Sequence, residues 1–507
     1  MNLADLVRDA AAADPAKPAL LHRDDMLTWG ELDRDVDRFG AGLLDLGLVA
    51  GDRVAIVLSN TPAFVTAYFG ALRAGLVALP VNTSYTASEV EHVVTDSGAR
   101  AVVGHRGAVD AHLEIAQRVP ALYLVVLADA GDAPAGAITF DDVVERGAAA
   151  GPTTSTAGDD DLAVLIYTSG TSGRPKGAML THAALRANLD QCARIEPKVV
   201  DADDVVLLVL PLFHIYALNA GLGAVVRHGA TGVLVERFDP VETLAEMRRH
   251  HVTNVIGAPP MYVAWSMLPD LGDAFSTVRL AVSGAAPLPA EVLGRILDVT
   301  GHHVFEGYGL TETAPVLTTT LMSQVAKPDS IGRPIPGVEL RLVDDDGDEP
   351  EEGDPGEIVV RGPNVFAGYW PDGAGGPDAA GWWPTGDVAY VDDDGDYHLV
   401  DRRTELILVS GFNVYPREVE DVLGQHPDVE EAAVMGIAHP YTGESVKALV
   451  VRRPGARLTA DEVIAHCVRS LARFKCPTAV EFVDELPYGA TGKVSKGRLR
   501  ELDATAG

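Results

Sequence analysis

The 507-residue chain is 47% hydrophobic and 22% charged, with 73 Asp+Glu against 40 Lys+Arg and a net charge of −33. That apolar content excludes disorder as the dominant state, and 51 Gly with 32 Pro in no fixed period exclude a collagen-like rod. The acidic balance excludes a nucleic-acid backbone or an anionic membrane as the main partner, since both would be repelled.

In the first 130 residues, short β-rich runs alternate with helical patterns. Thr28-Trp29-Gly30-Glu31 and Thr86-Ala87-Ser88-Glu89 are capping boxes that open helices. Apolar runs of buried-strand length lie at Arg53–Leu58, Val77–Pro80, Ala101–Gly104 and Leu122–Leu127. Alternation at this pitch predicts parallel α/β layers. A polar connection over Gly151–Asp161 leads into another buried strand, Leu162–Tyr167, and the α/β rhythm runs on to residue 330. From Val205 to Val226 no residue is charged, a length that could span a bilayer, but Pro211, His214 and Asn219 interrupt it. A buried strand over 205–210, a turn and a core helix are expected there, and no transmembrane segment.

From Ile331 to Val400 the pattern is β-rich and punctuated by Gly and Pro. The acidic runs Asp344–Asp348 and Asp392–Asp396 lack the alternate-residue spacing and terminal Glu of a calcium loop, so they read as solvated hairpin turns. The last 103 residues follow a β-α-β-β-α-β order: strand 406–409, helix 416–423, strands 431–437 and 447–451, a helix from Thr459 to about Ala472, and strand 479–483. The expected organisation is an α/β chain with a large N-terminal domain of layered α/β subdomains and a small β-rich subdomain (1–403). A small α+β C-terminal domain (404–507) follows. Three cysteines without ligand spacing (Cys192, Cys467, Cys476) and a start without a signal-peptide pattern point to a reducing cytoplasm.

The segment after the strand at 162–167 is Tyr167-Thr168-Ser169-Gly170-Thr171-Ser172-Gly173-Arg174-Pro175-Lys176-Gly177. Glycines let backbone N–H groups approach an oxyanion, hydroxyls add donors and one ammonium neutralises charge, so the segment reads as an anion cradle. It is not a Walker A loop, because Pro175 precedes the lysine and Gly177 replaces the hydroxyl. Glu306-Gly307-Tyr308-Gly309-Leu310-Thr311-Glu312-Thr313 offers a ring for a purine and a carboxylate for Mg²⁺ beside a phosphate. Ser283-Gly284-Ala285-Ala286-Pro287 offers small residues on which a base could lie flat. In Trp383-Pro384-Thr385-Gly386-Asp387 a carboxylate follows a turn and suits ribose hydroxyls. Pro487-Tyr488-Gly489-Ala490-Thr491-Gly492-Lys493 presents a lysine on a glycine-rich loop.

In this order, the segments resemble the adenylate-forming superfamily of acyl-CoA synthetases, luciferases and peptide-synthetase adenylation domains, over nearly the whole chain. Within it, Glu306–Thr313 and Ser410–Pro416 look most like fatty and related acyl-CoA ligases. The resemblance implies that Thr168, Ser169, Gly170, Thr171, Ser172, Gly173 and Lys176 hold the ATP phosphates. Gly284, Ala285, Ala286 and Tyr308 sandwich adenine, with Glu306, Gly307 and Gly309 alongside. Thr311 contacts the α-phosphate, Glu312 holds Mg²⁺, and Asp387 and Arg402 bind ribose. Lys493 bridges the carboxylate and the α-phosphate, and His214 sits at the carboxylate end of the acyl site. Two positions depart from the pattern: Thr404 stands at the hinge, commonly Asp or Lys, and Glu405 replaces the usual following Asp. Arg473-Phe474-Lys475 offers two cations and a ring to CoA, with an ordinary solvated helix end as the alternative.

The implied reaction joins AMP to a monocarboxylic acid, fatty acids first among them, releases pyrophosphate and transfers the acyl group to CoA. ATP, Mg²⁺ and CoA are the implied cofactors. The acyl pocket is expected from residues 213–221, 258–263, 282–286 and 306–316, which are mostly small or apolar. Malonate-activating relatives carry an arginine where this chain has Gly307, which argues against a dicarboxylate. Three alternatives remain: an acyl-AMP ligase loading a carrier protein, an amino-acid-activating domain, and a non-catalytic nucleotide- or acyl-binding homologue. Homodimerisation stays open.

Overall fold

Local signals in the chain become ordered elements where their hydrogen bonds can close within a few residues. A computed structural model of the chain describes residues 1–153, 157–169, 175–344, 347–351, 353–402, 407–414 and 416–486. At the helix Trp29–Asp45, the Thr28 hydroxyl accepts the Glu31 N–H at 3.3 Å and the Glu31 carboxylate accepts the Thr28 N–H at 2.9 Å. Thr459 and Glu462 make the same reciprocal cap on Ala460–Val468. Each such box satisfies two of the N–H groups that a helix start leaves orphaned.

The chain divides into two compact units. One comprises Met1–Thr83, Glu91–Thr168 and Gly177–Asp401; the other comprises Ser84–Val90, Ser169–Lys176 and the described residues from Arg402 onward. The first unit is built on two large sheets. In the nine-stranded sheet the central strands Pro18–His22, Thr231–Leu234, Val205–Leu208, Asn254–Gly257, Leu280–Gly284 and Val304–Gly309 run parallel. Antiparallel neighbours, Asp25–Thr28 on one side and Val316–Thr319 with Arg333–Pro334 on the other, close its edges. The seven-stranded sheet centres on Arg53–Val57, with Val77–Pro80 and Leu162–Ser169 to one side and Ala101–Gly104 and Leu124–Leu127 to the other. These strands read as continuous apolar runs because helices cover both faces, as parallel sheets require. A four-stranded sheet carries Glu339–Val343, Gly356–Arg361, Trp383–Val391 and Tyr397–Arg402.

Two differences from the expected elements have causes in side chains packed from elsewhere in the chain. The uncharged stretch forms a strand over Val205–Leu208 and then a π-helix, Tyr216–Gly223, continued by Ala224–His228. Asn219, 1% exposed, ties that helix down by donating to Leu185 O at 3.0 Å and Ala314 O at 2.7 Å. No helix among the described residues is long and apolar enough to cross a membrane. In the acidic hairpin at 392–396, the Lys327 ammonium bonds Asp392 and lies 2.8 Å from Asp394 and 3.9 Å from Asp396, and Arg333 reaches Asp396 at 2.8 Å. Two cationic side chains thus already offset part of the charge of that carboxylate cluster.

The second unit holds a five-stranded sheet of Phe412–Val414, Ile407–Val409, Gly443–Arg452 and Val429–His439, with Ala479–Val483 pairing in parallel to Gly443–Arg452. Helices Pro416–Gly424 and Ala460–Val468 accompany it. The strand Phe412–Val414 is additional to the expected order. Ser410 (φ 52°) and Gly411 (φ 82°) make a two-residue loop with both central φ positive, the geometry that folds Ile407–Val409 back on Phe412–Val414 as a hairpin. The second helix ends at Val468, short of Ala472, and a 3₁₀ turn follows at Arg473–Lys475.

Candidate active site

Open parallel sheets expose their strand C-termini to ligands, and several predicted residues stand there. Gly284 ends the strand Leu280–Gly284, Glu306–Gly309 end Val304–Gly309, and Thr168, half-buried, precedes Ser169 at the end of Leu162–Ser169. Ala285 leaves its strand at φ 73°, a left-handed conformation that costs a non-glycine residue on the order of 1 kcal/mol and is tolerated where function demands it. Ala286 follows it, half-buried. A Cβ on Gly309 would meet Pro315 O at 1.8 Å, so only glycine permits the chain to double back there into the 3₁₀ turn Thr311–Thr313.

The turn carries Thr311 and Glu312 past the end of the sheet. Glu312, 7% exposed, accepts a hydrogen bond from the Tyr369 hydroxyl at 2.7 Å on Oε1. Burial raises its pKa, the Tyr369 bond and its own backbone oppose that rise, and the nearby Asp387 carboxylate adds to it. Tyr308 O–H donates to Asp387 Oδ2 at 2.6 Å, so two predicted nucleotide contacts separated by 79 residues share one hydrogen bond. Glu306 is buried with its Oε1 accepting the Leu288 N–H at 2.8 Å. Burial pushes its pKa up to about 7, the Leu288 bond opposes this, and Asp329 adds to it. That bond anchors the strand Val304–Gly309 to the Gly284–Leu288 segment, which places Glu306 as a brace for the small-residue turn.

His214 lies on the turn after Pro211, where Asn60 holds the backbone: its Oδ1 accepts the Leu212 N–H at 2.9 Å and its Nδ2 donates to Leu208 O and Leu210 O. Burial pushes the His214 pKa down to about 4, so the ring is neutral near pH 7. Its Nδ1 accepts the Tyr216 N–H at 3.3 Å, which leaves the proton on Nε2 as a donor. The Tyr216 ring in turn packs where a Gly284 Cβ would lie, 3.0 to 3.2 Å from that position.

An apolar cavity opens behind this arrangement. Tyr216, Ala220, Ala224 and His228 line it at four-residue spacing along one helix face. Asn188, Leu189 and Cys192 of the helix His182–Cys192 form a second wall, and Ile256, Val282, Gly307 and Val316 contribute from the sheet. Ala220, Val282, Gly307 and Val316 are among the expected pocket residues. Ala258 and Met261 are instead packed in a separate core around Trp265, on the other side of the sheet, while the wall from 188 to 200 was not expected. The helix His182–Cys192 gives no sequence sign of this role, because its apolar positions suit any core-facing helix.

The remaining described residues among those predicted belong to the second unit. Lys176 is exposed near the start of the strand Pro175–Thr181. Arg402 ends the strand Tyr397–Arg402. In the second unit Arg473 is exposed, but the Lys475 ammonium, 1% exposed, sits 2.8 Å from Glu418 and 3.1 Å from Glu89. A buried ammonium held by two carboxylates is a structural charge pair in this arrangement. Gly170, Thr171, Ser172, Gly173, Thr404 and Lys493 lie outside the described residues.

With this geometry in view, the family relationship is direct. Residues 7–370 match the family model described as AMP-binding enzyme, and residues 418–493 match that of the AMP-binding enzyme C-terminal domain. The chain belongs to the AMP-binding, adenylate-forming enzymes. It is 35% identical over 535 residues to a long-chain-fatty-acid–CoA ligase of Yersinia pestis, covering 100% of this chain and 95% of that protein. It is 38% identical over 499 residues to a feruloyl-CoA synthase of an Amycolatopsis species, covering 97% and 96%. The ATP-bound structure of MatB from Rhodopseudomonas palustris superimposes with a TM-score of 0.72 at 34% identity, covering 99% of each chain. The protein is accordingly an enzyme of the AMP-forming acyl-CoA synthetase type.

Proposed function

We propose that the protein activates a monocarboxylic acid with a long apolar tail, converting acid and ATP to acyl-AMP and pyrophosphate and then acyl-AMP and CoA to acyl-CoA and AMP. The observation that carries the acid's identity is the apolar lining of the cavity bounded by Gly307. The relatives named for long-chain fatty acids support the same reading.

A carboxylate is a poor acyl donor because its charge repels nucleophiles. Attack of its oxygen on the α-phosphorus of ATP expels pyrophosphate and leaves a mixed anhydride in which the acyl carbon no longer bears the carboxylate charge and AMP is the leaving group. Negative charge gathers between two anions in that step, so positioned donors and cations contribute most. The Thr168 and Thr311 hydroxyls act as donors and Lys493 as the cation. The neutral His214 offers its Nε2–H to the acid without adding a charge. Tyr308 and Asp387, joined by their hydrogen bond, form one side of the nucleoside site, Tyr308 against adenine and Asp387 on ribose.

Glu312 suits Mg²⁺: a buried carboxylate with a raised pKa is one whose anionic form a divalent cation would favour. Among the described residues no three His, Cys, Asp or Glu side chains gather as a metal cage. That arrangement matches a cation that leans on one carboxylate and the substrate's phosphates. Bound there, Mg²⁺ supplies charge neutralisation on the phosphates. Transfer to CoA follows loss of pyrophosphate, with the loop of Lys493 displaced by the thiol; Thr404 is the pivot of that exchange.

Pyrophosphate release over a panel of acids, with and without CoA, tests the reading. Long alkanoates should give the highest kcat/KM, and CoA should convert acyl-AMP to acyl-CoA resolvable by chromatography. A preference for aryl acids, or acyl-AMP that persists with CoA present, would replace this reading with an aryl ligase or a carrier-loading ligase respectively.

A further inference from the structure

The Glu312 carboxylate is held by a residue that the predicted motifs do not contain. Tyr369 donates its hydroxyl to Glu312 Oε1 at 2.7 Å across 57 residues. The segment bearing Tyr369 is fixed at both ends. Phe366 N–H donates to Glu312 O at 2.8 Å, and the Phe366 and Tyr369 rings meet edge to face at 5.0 Å. Three backbone bonds then lace the segment to the strand Pro175–Thr181: Ala367 N–H to Met179 O at 2.9 Å, Met179 N–H to Gly368 O at 3.1 Å, and Trp370 N–H to Gly177 O at 2.8 Å. Trp370 is pinned in turn, its Nε1–H donating to Asp96 O at 3.0 Å and the Arg53 guanidinium lying 5.2 Å from its ring.

Resting on the reading of Glu312 as the Mg²⁺ ligand, we infer that Tyr369 is a positioning residue that sets the Glu312 carboxylate for the cation and registers it against the strand leaving the phosphate-binding segment. The phenol takes one carboxylate oxygen and so decides which way the other points. The backbone lacing ensures that this orientation is referred to Gly177–Met179 and not to the mobile end of a lone side chain. A buried carboxylate without such a partner could rotate about its last bond, and a ligand that rotates loses affinity for its metal. Outer-shell partners of metal ligands act in this way, and their loss typically weakens metal binding roughly 10–100-fold.

The variant that isolates the hydroxyl is Tyr369→Phe, because the ring packing on Phe366 and the backbone lacing survive. ATP affinity is measured by calorimetry on the full-length protein, with excess Mg²⁺ and again with a chelator. The expected result is metal-free ATP binding unchanged, Mg²⁺-dependent tightening reduced roughly 10–100-fold, and a melting temperature lowered by no more than the loss of one buried hydrogen bond accounts for. In steady state the KM for MgATP should rise more than kcat falls. Against a Glu312→Gln background Tyr369→Phe should add almost nothing, since the two act as one unit. Equal losses with and without metal, or full additivity with Glu312→Gln, would assign Tyr369 a purely structural role and overturn the inference. Wild-type protein that binds ATP equally well with and without Mg²⁺ would sink the assignment of Glu312 as well. A normal metal response with no activity on any acid would leave this inference standing and remove only the acid-activating function.

Discussion

Gly307 is the residue at which cavity and chemistry meet, and filling it is the sharpest test of the proposed substrate class. A Cβ built there would lie 3.4 Å from Thr318 O and 4.0 Å from the Thr319 Cβ, ordinary van der Waals distances, and its other side faces the cavity. Neither strain nor a backbone clash therefore opposes a side chain. Gly307→Ala adds one carbon to the cavity and Gly307→Leu adds four. If each displaces one methylene of the acid, the loss is about 0.8 kcal/mol per carbon. That is about fourfold in kcat/KM for Gly307→Ala and, at about 3 kcal/mol, on the order of 100-fold for Gly307→Leu. Only acids long enough to reach past Gly307 should suffer, so the assay is kcat/KM across saturated acids from short to long, read as pyrophosphate release. The ratio of long to short acids should fall stepwise from glycine to alanine to leucine. A uniform loss at every chain length, or a Gly307→Leu enzyme that still prefers the longest acids, would mean that the tail does not occupy this cavity.

Three further outcomes are expected. Tyr308→Phe removes a 2.6 Å hydrogen bond to the buried Asp387 carboxylate, so denaturant unfolding should show a loss of about 1–3 kcal/mol and the KM for ATP should rise; unchanged values for both would separate Tyr308 from the nucleoside site. Lys493→Ala should leave ATP binding intact and nearly abolish pyrophosphate release, yet still convert supplied acyl-AMP and CoA to thioester; undiminished pyrophosphate release refutes its role. His182 is buried, with its pKa pushed down to about 4 by burial and its Nδ1 accepting the Leu3 N–H at 3.0 Å. Because its folded pKa is depressed from about 6.5, its stabilising contribution is complete above that value and is lost as pH falls towards 4, on the order of 2 kcal/mol at pH 5. Comparing urea unfolding at pH 7 and 5 should show a smaller acid loss in His182→Asn than in wild type; identical differences would argue that His182 titrates normally.

The amino-acid sequence alone determines what depends on near neighbours. The Thr28–Glu31 and Thr459–Glu462 caps close within three residues, and the apolar runs at 53–57, 77–80 and 280–284 suit a strand covered on both faces. A Cβ on Gly309 would lie 1.8 Å from Pro315 O, so the glycine of its motif has a local steric reason. Tertiary structure decides what depends on crossovers. Whether Tyr369 reaches Glu312, or Tyr308 reaches Asp387, follows from how the edge strands and loops return over the parallel sheet, and nothing near Tyr369 in sequence encodes a partner 57 residues away. The cavity wall at 188–200 and the burial of Lys475 between Glu418 and Glu89 were hidden for the same reason. A side chain's chemistry is local, but whether it meets solvent, a ligand or a counter-charge is set by chain segments packed from far away.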